Sequence, residues 1–97
     1  WIEAKGSYCQ IYTTRKHTFT LSYPLVHIEE RLPSNQFIRI QRSFLVNIGH
    51  VKKLVGSSLI VDNRIFKIGE SYKQQALSKF IFLGIHKQPS LKKNIRE

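Results

Sequence analysis

The chain has 97 residues, enough for one domain with a modest core, and its 41% hydrophobic and 23% charged residues argue against a disordered chain. No stretch approaches the roughly 18 apolar residues of a membrane span. Sixteen Lys and Arg against six Asp and Glu give a formal net charge of +10, which favours a polyanionic partner, nucleic acid before an anionic membrane surface.

The first 21 residues predict short strands joined by turns. The opening residue, Trp1, lies in the middle of a strand pattern, which predicts a fragment of a longer protein that lacks upstream strands. Polar and apolar residues alternate over residues 2–4, 8–13 and 18–21. Lys5-Gly6-Ser7 and Arg15-Lys16 are the predicted turns. Cys9 lies on the apolar face of its strand and is predicted to be a small buried residue rather than a nucleophile.

Residues 24–32 break this alternation and predict a short helix. Pro24 suits the first helical turn, Leu25 and Ile28 recur at helical spacing, and Pro33 ends the helix. Strand patterns return over residues 37–41, 51–55, 58–61 and 64–68, with turns at 56–57 and 62–63.

The last periodic stretch predicts a C-terminal helix over residues 71–82. Its apolar positions are Tyr72, Ala76, Leu77, Phe80 and Ile81. Ser71 followed by Gln74 resembles a capping box, and Gly84 is predicted to stop the helix. The chain therefore divides into a domain over residues 1–84 and a basic C-terminal tail over 85–97.

Catalysis and metal binding find little support in the sequence. Glu29 and Glu30 are neighbours on a predicted helix, where adjacent side chains point in different directions, and the one aspartate, Asp62, lies in a turn. The histidines are scattered without the spacing of metal ligands; they are His17, His27, His50 and His86. We expect no enzymatic activity, no metal and no cofactor.

Basic and polar residues recur at the ends of the predicted strands, where loops on a rigid scaffold often carry binding residues. The triplet Gln41-Arg42-Ser43 lies between two apolar runs, 37–40 and 44–46. Arginine can read a guanine edge, glutamine an adenine, and serine or lysine can hold phosphates. On the residues alone, Arg42 could equally cap a chain end or pair with Glu3. The candidate binding residues are Lys5, Ser7, Tyr8, Arg15, Lys16, Arg39, Gln41, Arg42, Ser43, Ser71 and Lys73.

Two stretches, "WIEAKGSYCQIYT" and "FIRIQRSFLVN", resemble the LytTR DNA-binding domain of bacterial response regulators. The resemblance extends over about residues 1–82. It is carried by the strand start Ile2-Glu3-Ala4 with Gly6 and Tyr8, the helix before Phe37-Ile38-Arg39, and the motif Arg42-Ser43-Phe44-Leu45-Val46-Asn47.

The resemblance implies a mostly β fold, an elongated arrangement of short antiparallel sheets, and sequence-specific binding to double-stranded DNA through loops. The implied base contacts are Tyr8, with Lys5 and Ser7 nearby; Arg42, with Gln41 and Ser43; and the Ser71 region, with Lys73. This chain departs from the family in two places. Gln41 stands where histidine is frequent, and Gly69-Glu70-Ser71 stands where Ser-Arg-Arg is frequent.

The expected function is that of a cytoplasmic DNA-binding output module in a bacterial transcription regulator of a two-component system. Its expected partners are duplex DNA, a second copy on repeated half-sites and an upstream regulatory domain. One alternative is a small RNA-binding β domain that stacks bases on Tyr8, Tyr12 and Tyr23. Another is a membrane-surface or protein-interaction module anchored by the basic tail.

Overall fold

The computed structural model describes residues 1–82 and 87–88, and this part of the chain forms two β-sheets and two α-helices. The predicted stop at Gly84 and the tail, apart from 87–88, lie outside the described residues. In chain order the elements are β1 (Ile2–Lys5), β2 (Tyr8–Tyr12), β3 (Thr18–Leu21), α1 (Leu25–Arg31), β4 (Phe37–Gln41), β5 (Phe44–Asn47), a 3-10 turn (Ile48–His50), β6 (Val51–Val55), β7 (Ser58–Val61), β8 (Arg64–Lys67), a 3-10 turn (Glu70–Tyr72), α2 (Lys73–Phe82) and β9 (Lys87–Gln88).

The first sheet has the strand order β3-β2-β1-β5-β4, and every neighbouring pair is antiparallel. The second has the order β8-β7-β6-β9, in which only the short β9 runs parallel to its neighbour. The domain measures 49 × 26 × 21 Å. The predicted elongated and mostly β fold is therefore confirmed.

Four of the hairpins close with loops of only two residues, since the flanking strand residues pair directly across each loop. The β1–β2, β6–β7 and β7–β8 loops begin at Gly6, Gly56 and Asp62, with φ of +68°, +61° and +54°. A positive φ at this position matches the twist of the two strands. Glycine adopts it without steric cost, which accounts for Gly6 and Gly56. The fourth loop, Arg42-Ser43 between β4 and β5, has no positive φ.

The core consists of two clusters on opposite faces of the β4–β5 hairpin. The larger cluster joins this hairpin to the second sheet and α2; its fully buried members include Ile40, Val46, Leu54, Leu59 and Phe80. The smaller cluster joins β1, β2 and β5 to α1; it comprises Ile2, Cys9, Leu25, Ile28 and Leu45.

Because both of its faces are covered, β5 reads as a continuous apolar run rather than as an alternating one. Leu45 and Val46 point to opposite sides of the sheet and both are fully buried. The sequence patterns predict strands on either side, at 37–41 and 51–55, but no strand at 44–47. That omission is wrong, and its cause is physical, since a strand buried on both faces lacks the period of two on which the prediction depends.

The two helices lie close to their predicted positions. Helix α1 begins at Leu25, with Pro24 as its N-cap, and its buried residues Leu25 and Ile28 confirm the predicted apolar stripe. Helix α2 begins at Lys73, so Ser71 lies in the preceding 3-10 turn and not at the N-cap of a capping box, as the sequence predicts. Within the described residues, neither helix is long and apolar enough to cross a membrane.

Cys9 is only 1% exposed, as predicted from its place on the apolar face of β2. Its Sγ donates to the carbonyl oxygen of Tyr23 at 3.2 Å. Burial raises the pKa of the Cys9 thiol above its ordinary value. The thiol is therefore kept in its unreactive protonated form and serves as a core residue.

Candidate nucleic-acid interface

The β1–β2 and β4–β5 turns lie side by side at the same end of the strands of the first sheet. Strand β5 runs antiparallel to β1, so that its first residues lie beside the last residues of β1. The backbone N–H of Ala4 donates to the carbonyl of Ser43 at 2.8 Å and joins the two turns directly. The pairing brings Lys5, Ser7 and Tyr8 next to Gln41, Arg42 and Ser43.

A third segment, residues 69–73, packs against the same place from the second sheet. The N–H of Gly69 donates to the carbonyl of Ile40 at 2.8 Å. The side-chain amide of Gln41 donates to the carbonyl of Lys67. Ser71 and Lys73 are thereby brought beside the β4–β5 turn. We call the β1–β2 turn (5–8), the β4–β5 turn (41–43) and the segment 69–73 together the turn edge.

Most of the polar side chains at the turn edge are accessible. Arg42 and Ser71 are exposed, together with Lys5 and Ser7, and Tyr8 is 37% exposed. Lys67 is not in the candidate set, although its place where the last strand meets the last helix marks it in the sequence. It is exposed at the end of β8, and its carbonyl accepts the hydrogen bond from Gln41.

The structure tests one of the structural roles considered for Arg42, the ion pair with Glu3. Within residues 1–82, the side-chain ion pairs are Arg39 with Glu29 and Lys73 with Glu70, so Arg42 does not pair with Glu3. Glu3 instead accepts a hydrogen bond from the hydroxyl of Tyr12 at 3.3 Å. Among the described residues, the exposed side chain of Arg42 has no ion-pair partner, so it is accessible to a ligand there.

Arg39 and Gln41 are placed differently from the other candidates, because their side-chain donors are used within the protein. The guanidinium of Arg39 contacts Glu29 and the carbonyls of Gln41 and Arg42. The amide of Gln41 binds the end of β8, as described above. Both residues connect parts of the turn edge to one another.

Lys73 is also engaged, and it changes the electrostatics of the 69–73 segment. Its Nζ donates to Glu70 Oε1 at 2.7 Å. This hydrogen bond and the charge of Lys73 hold the pKa of the Glu70 carboxyl below its ordinary value. Glu70 is therefore ionised at neutral pH, but its negative charge is compensated within one helical turn. To an anionic ligand the segment therefore offers the exposed hydroxyl of Ser71 and a nearly neutral ion pair.

Arg15 and Lys16 lie at the opposite end of the strands, away from the turn edge. They occupy the β2–β3 turn, and β2 runs away from the turn edge over its five residues, roughly 17 Å at 3.3 Å per residue. Both side chains are exposed, and Lys16 has a φ of +64°. The structure does not bring these two predicted residues together with the other nine.

Comparison with known proteins relates this architecture to one family. The family model of the LytTr DNA-binding domain matches residues 1–76. Among solved structures, the LytTr DNA-binding domain of a Bacillus cereus protein described as a methyl-accepting/DNA response regulator superposes with a TM-score of 0.68. The two are 32% identical in sequence, and the match covers 87% of this chain and 79% of that one.

Two curated relatives share parts of the same sequence. The CO-responsive transcriptional regulator RcoM of Rhodospirillum rubrum is 35% identical over 66 residues, covering 64% of this chain and 28% of that protein. The sensory transduction protein LytT of Bacillus subtilis is 46% identical over 41 residues, covering 42% of this chain and 17% of that protein. The chain thus matches less than a third of either relative's length. With its two sheets and the fit to the family model, the chain belongs to the LytTr DNA-binding domain family.

Proposed function

We propose that this domain binds double-stranded DNA in a sequence-specific manner through the turn edge and serves as the output module of a bacterial transcription regulator. The observation that carries the proposal is the convergence of three polar segments on one edge, joined by the Ala4–Ser43 and Gly69–Ile40 backbone hydrogen bonds. Short turns held by a rigid β scaffold reach a groove with little conformational entropy left to lose.

Within this proposal the exposed residues divide into two roles. Arg42 reads a base edge, because arginine can donate two parallel hydrogen bonds to guanine. Lys5, Ser7, Lys67 and Ser71 bind phosphates and set the register of the protein on the duplex. Tyr8, which pairs with Lys5 across the β1–β2 turn, contributes its hydroxyl or its ring. Ser43, which is half-buried, supports the turn through its backbone.

The same proposal extends to the whole protein. The domain acts in the cytoplasm, where it has access to the chromosome, and it carries no catalytic activity of its own. An upstream regulatory domain, of the two-component type, controls it, and a second copy occupies a repeated half-site. The names of the relatives support a regulatory setting, since one is described as CO-responsive and the other as a sensory transduction protein.

RNA binding by stacked tyrosines is less well supported. The ring of Tyr12 stacks on Trp1 with centroids 5.0 Å apart, so it is not a free platform for a base. We expect a labelled duplex selected for binding to be displaced by unlabelled duplex and far less by single-stranded RNA or DNA of the same sequence. Preferential displacement by single-stranded RNA would favour the alternative instead.

A pair of matched charge removals tests the position of the interface. Lys5→Gln should weaken duplex binding and make the log–log salt dependence less steep by about 0.9, the contribution of one phosphate contact. Arg15→Gln removes the same charge at the opposite edge and should leave that slope unchanged. Fluorescence anisotropy titrations at several salt concentrations measure both. Equal effects of the two substitutions would show that binding follows net charge rather than the turn edge.

A further inference from the structure

The turn that carries Arg42 lacks a feature that the other two-residue turns share. Gly6, Gly56 and Asp62 each open their loop with a positive φ, whereas within the described residues neither Arg42 nor Ser43 has one. Loops of two residues without a positive φ twist against their flanking strands. The pairing of β4 with β5 also shifts register just before this turn. No positive φ fixes the shape of the β4–β5 turn, so contacts to its carbonyl groups gain in importance.

Besides the backbone bond from Ala4 to Ser43, the turn is contacted by the side chain of Arg39, three residues before Arg42. Its Nε donates to the carbonyl of Gln41 at 2.9 Å, and its Nη2 donates to the carbonyl of Arg42. One planar group thus holds two successive carbonyls of the turn. Because the donors of a guanidinium project in a fixed fork, they constrain the orientation of both peptide groups. The side chain of Arg39 is only 16% exposed.

The guanidinium is itself held by two elements outside the hairpin. Its Nη1 donates to Glu29 Oε1 of α1 at 2.9 Å. Its central carbon lies 5.8 Å from the centre of the Tyr72 ring, in the 3-10 turn before α2, within the range of a cation–π contact. Arg39 therefore connects α1, the β4–β5 turn and the 69–73 segment through one side chain.

We propose that Arg39 is a positioning residue for DNA recognition, which holds the β4–β5 turn in the shape that directs Arg42 at a base and does not itself contact DNA. The proposal rests on the proposed function above. Since three of its donors are used within the protein, Arg39 acts on DNA through Arg42. Its loss should lower discrimination between sequences and leave the general attraction to phosphates intact.

The test compares two duplexes of equal length and base composition, one selected from a random library by the wild-type domain and one scrambled. Arg39→Lys keeps the charge but cannot hold two carbonyls in a fixed fork. The ratio of the two affinities should fall about tenfold, within the range of one base contact. The affinity for the scrambled duplex and the salt dependence should not change. Fluorescence anisotropy titrations, run at a temperature below the onset of unfolding of each variant, give these affinities.

Arg64→Lys is the matched control. The guanidinium of Arg64 is also ordered by contacts, lying 5.1 Å from the centre of the Trp1 ring and 4.9 Å from that of Phe66. It also lies 5.5 Å from the ring centre of Phe44, the first residue of β5, but it donates no hydrogen bond to the β4–β5 turn. The Arg64→Lys substitution should leave the ratio of selected to scrambled affinity unchanged. A fall in the ratio as large as that of Arg39→Lys would mean that any loss of arginine packing has this effect, and would overturn the proposal.

Glu29→Gln provides a variant in which charge and positioning predict opposite results. Removing a negative charge alone strengthens the attraction of DNA. Weakening the partner of Arg39 should nevertheless lower the ratio of selected to scrambled affinity. A ratio unchanged in both Arg39→Lys and Glu29→Gln overturns the proposal. So does an Arg39→Gln variant that loses equal affinity for both duplexes with a slope less steep by about 0.9, the mark of a phosphate contact.

A measurement on the free protein separates failure of this proposal from failure of DNA binding. The backbone amide resonance of Arg42 should shift in Arg39→Lys and remain in place in Arg64→Lys, whose ring contact in β5 is with Phe44, beyond the turn. An unchanged resonance in Arg39→Lys would overturn the positioning role even if the domain binds DNA as proposed. Absence of duplex binding by the wild-type domain would overturn the proposed function and, with it, the role of Arg39 in recognition.

Discussion

Raising the salt concentration from about 50 to about 200 mM should lower the affinity for duplex DNA by about 10²- to 10⁴-fold, the change produced by a log–log slope of about −4 to −7. Such a slope corresponds to roughly five to eight neutralised phosphates. The net charge of +10 supplies enough cations, but Arg15 and Lys16 lie on the edge away from the proposed interface. The slope should therefore fall short of the value that the whole charge would give.

Anisotropy titrations of a labelled duplex at four or more salt concentrations measure this slope. A scrambled duplex of the same length is the control, because phosphate contacts do not depend on sequence and both duplexes should give similar slopes. A slope near zero would be incompatible with nucleic-acid binding by this domain. A slope that differs strongly between the two duplexes would mean that the specific complex uses a different set of cations.

Arg42→Ala should weaken binding to a selected duplex by about 5- to 150-fold, which corresponds to about 1 to 3 kcal/mol for the loss of a bidentate base contact. Binding to a scrambled duplex should change far less. Since Arg42 is exposed and forms no side-chain ion pair among the described residues, its removal should change the free energy of unfolding by less than about 0.5 kcal/mol. Anisotropy on both duplexes and thermal unfolding monitored by circular dichroism report the two effects.

Arg15→Ala is the matched control for this substitution. It also removes an exposed arginine from a turn, but at the opposite edge of the sheet, and it should leave the preference for the selected duplex unchanged. If Arg42→Ala instead lowered the melting temperature substantially and kept the preference, Arg42 would be a structural residue. A loss of preference in Arg15→Ala would show that the interface reaches both edges.

The location of the proposed interface shows where prediction from sequence succeeds and where it needs the fold. The polar triplet at 41–43 is visible in the sequence as a break between two apolar stretches, and the structure shows that this break is the β4–β5 turn, although the strand that follows it is not predicted. Lys5 and Arg15 have similar local surroundings in the sequence. Successive turns of an up-and-down sheet lie at opposite ends of the strands, so counting strands already places Lys5 and Arg15 at opposite ends. That the β4–β5 turn joins Lys5 depends on the pairing of β1 with β5, which no local pattern specifies.

Arg39 shows a second limit of prediction from sequence. On the strand pattern it is a polar residue between Ile38 and Ile40, indistinguishable from an exposed cation. Its partners, Glu29 and Tyr72, lie 10 and 33 positions away along the chain, and only the packing of α1 and the 69–73 segment against β4 brings them within reach. Contacts between such distant residues follow from tertiary structure, so residue type and spacing alone could not reveal them.

The two-sided burial of the β4–β5 hairpin affects how the domain fluctuates. Separating this hairpin from its neighbours exposes Leu45 on one face together with Ile40 and Val46 on the other, so it disrupts both core clusters at once. The free energy of local opening is smallest where few apolar contacts are lost, and here it should approach that of global unfolding. The turn that carries Arg42 is thus attached to the part of the molecule that opens last. Thermal motion that loosens the outer strand β3 should leave the orientation of Arg42 almost undisturbed.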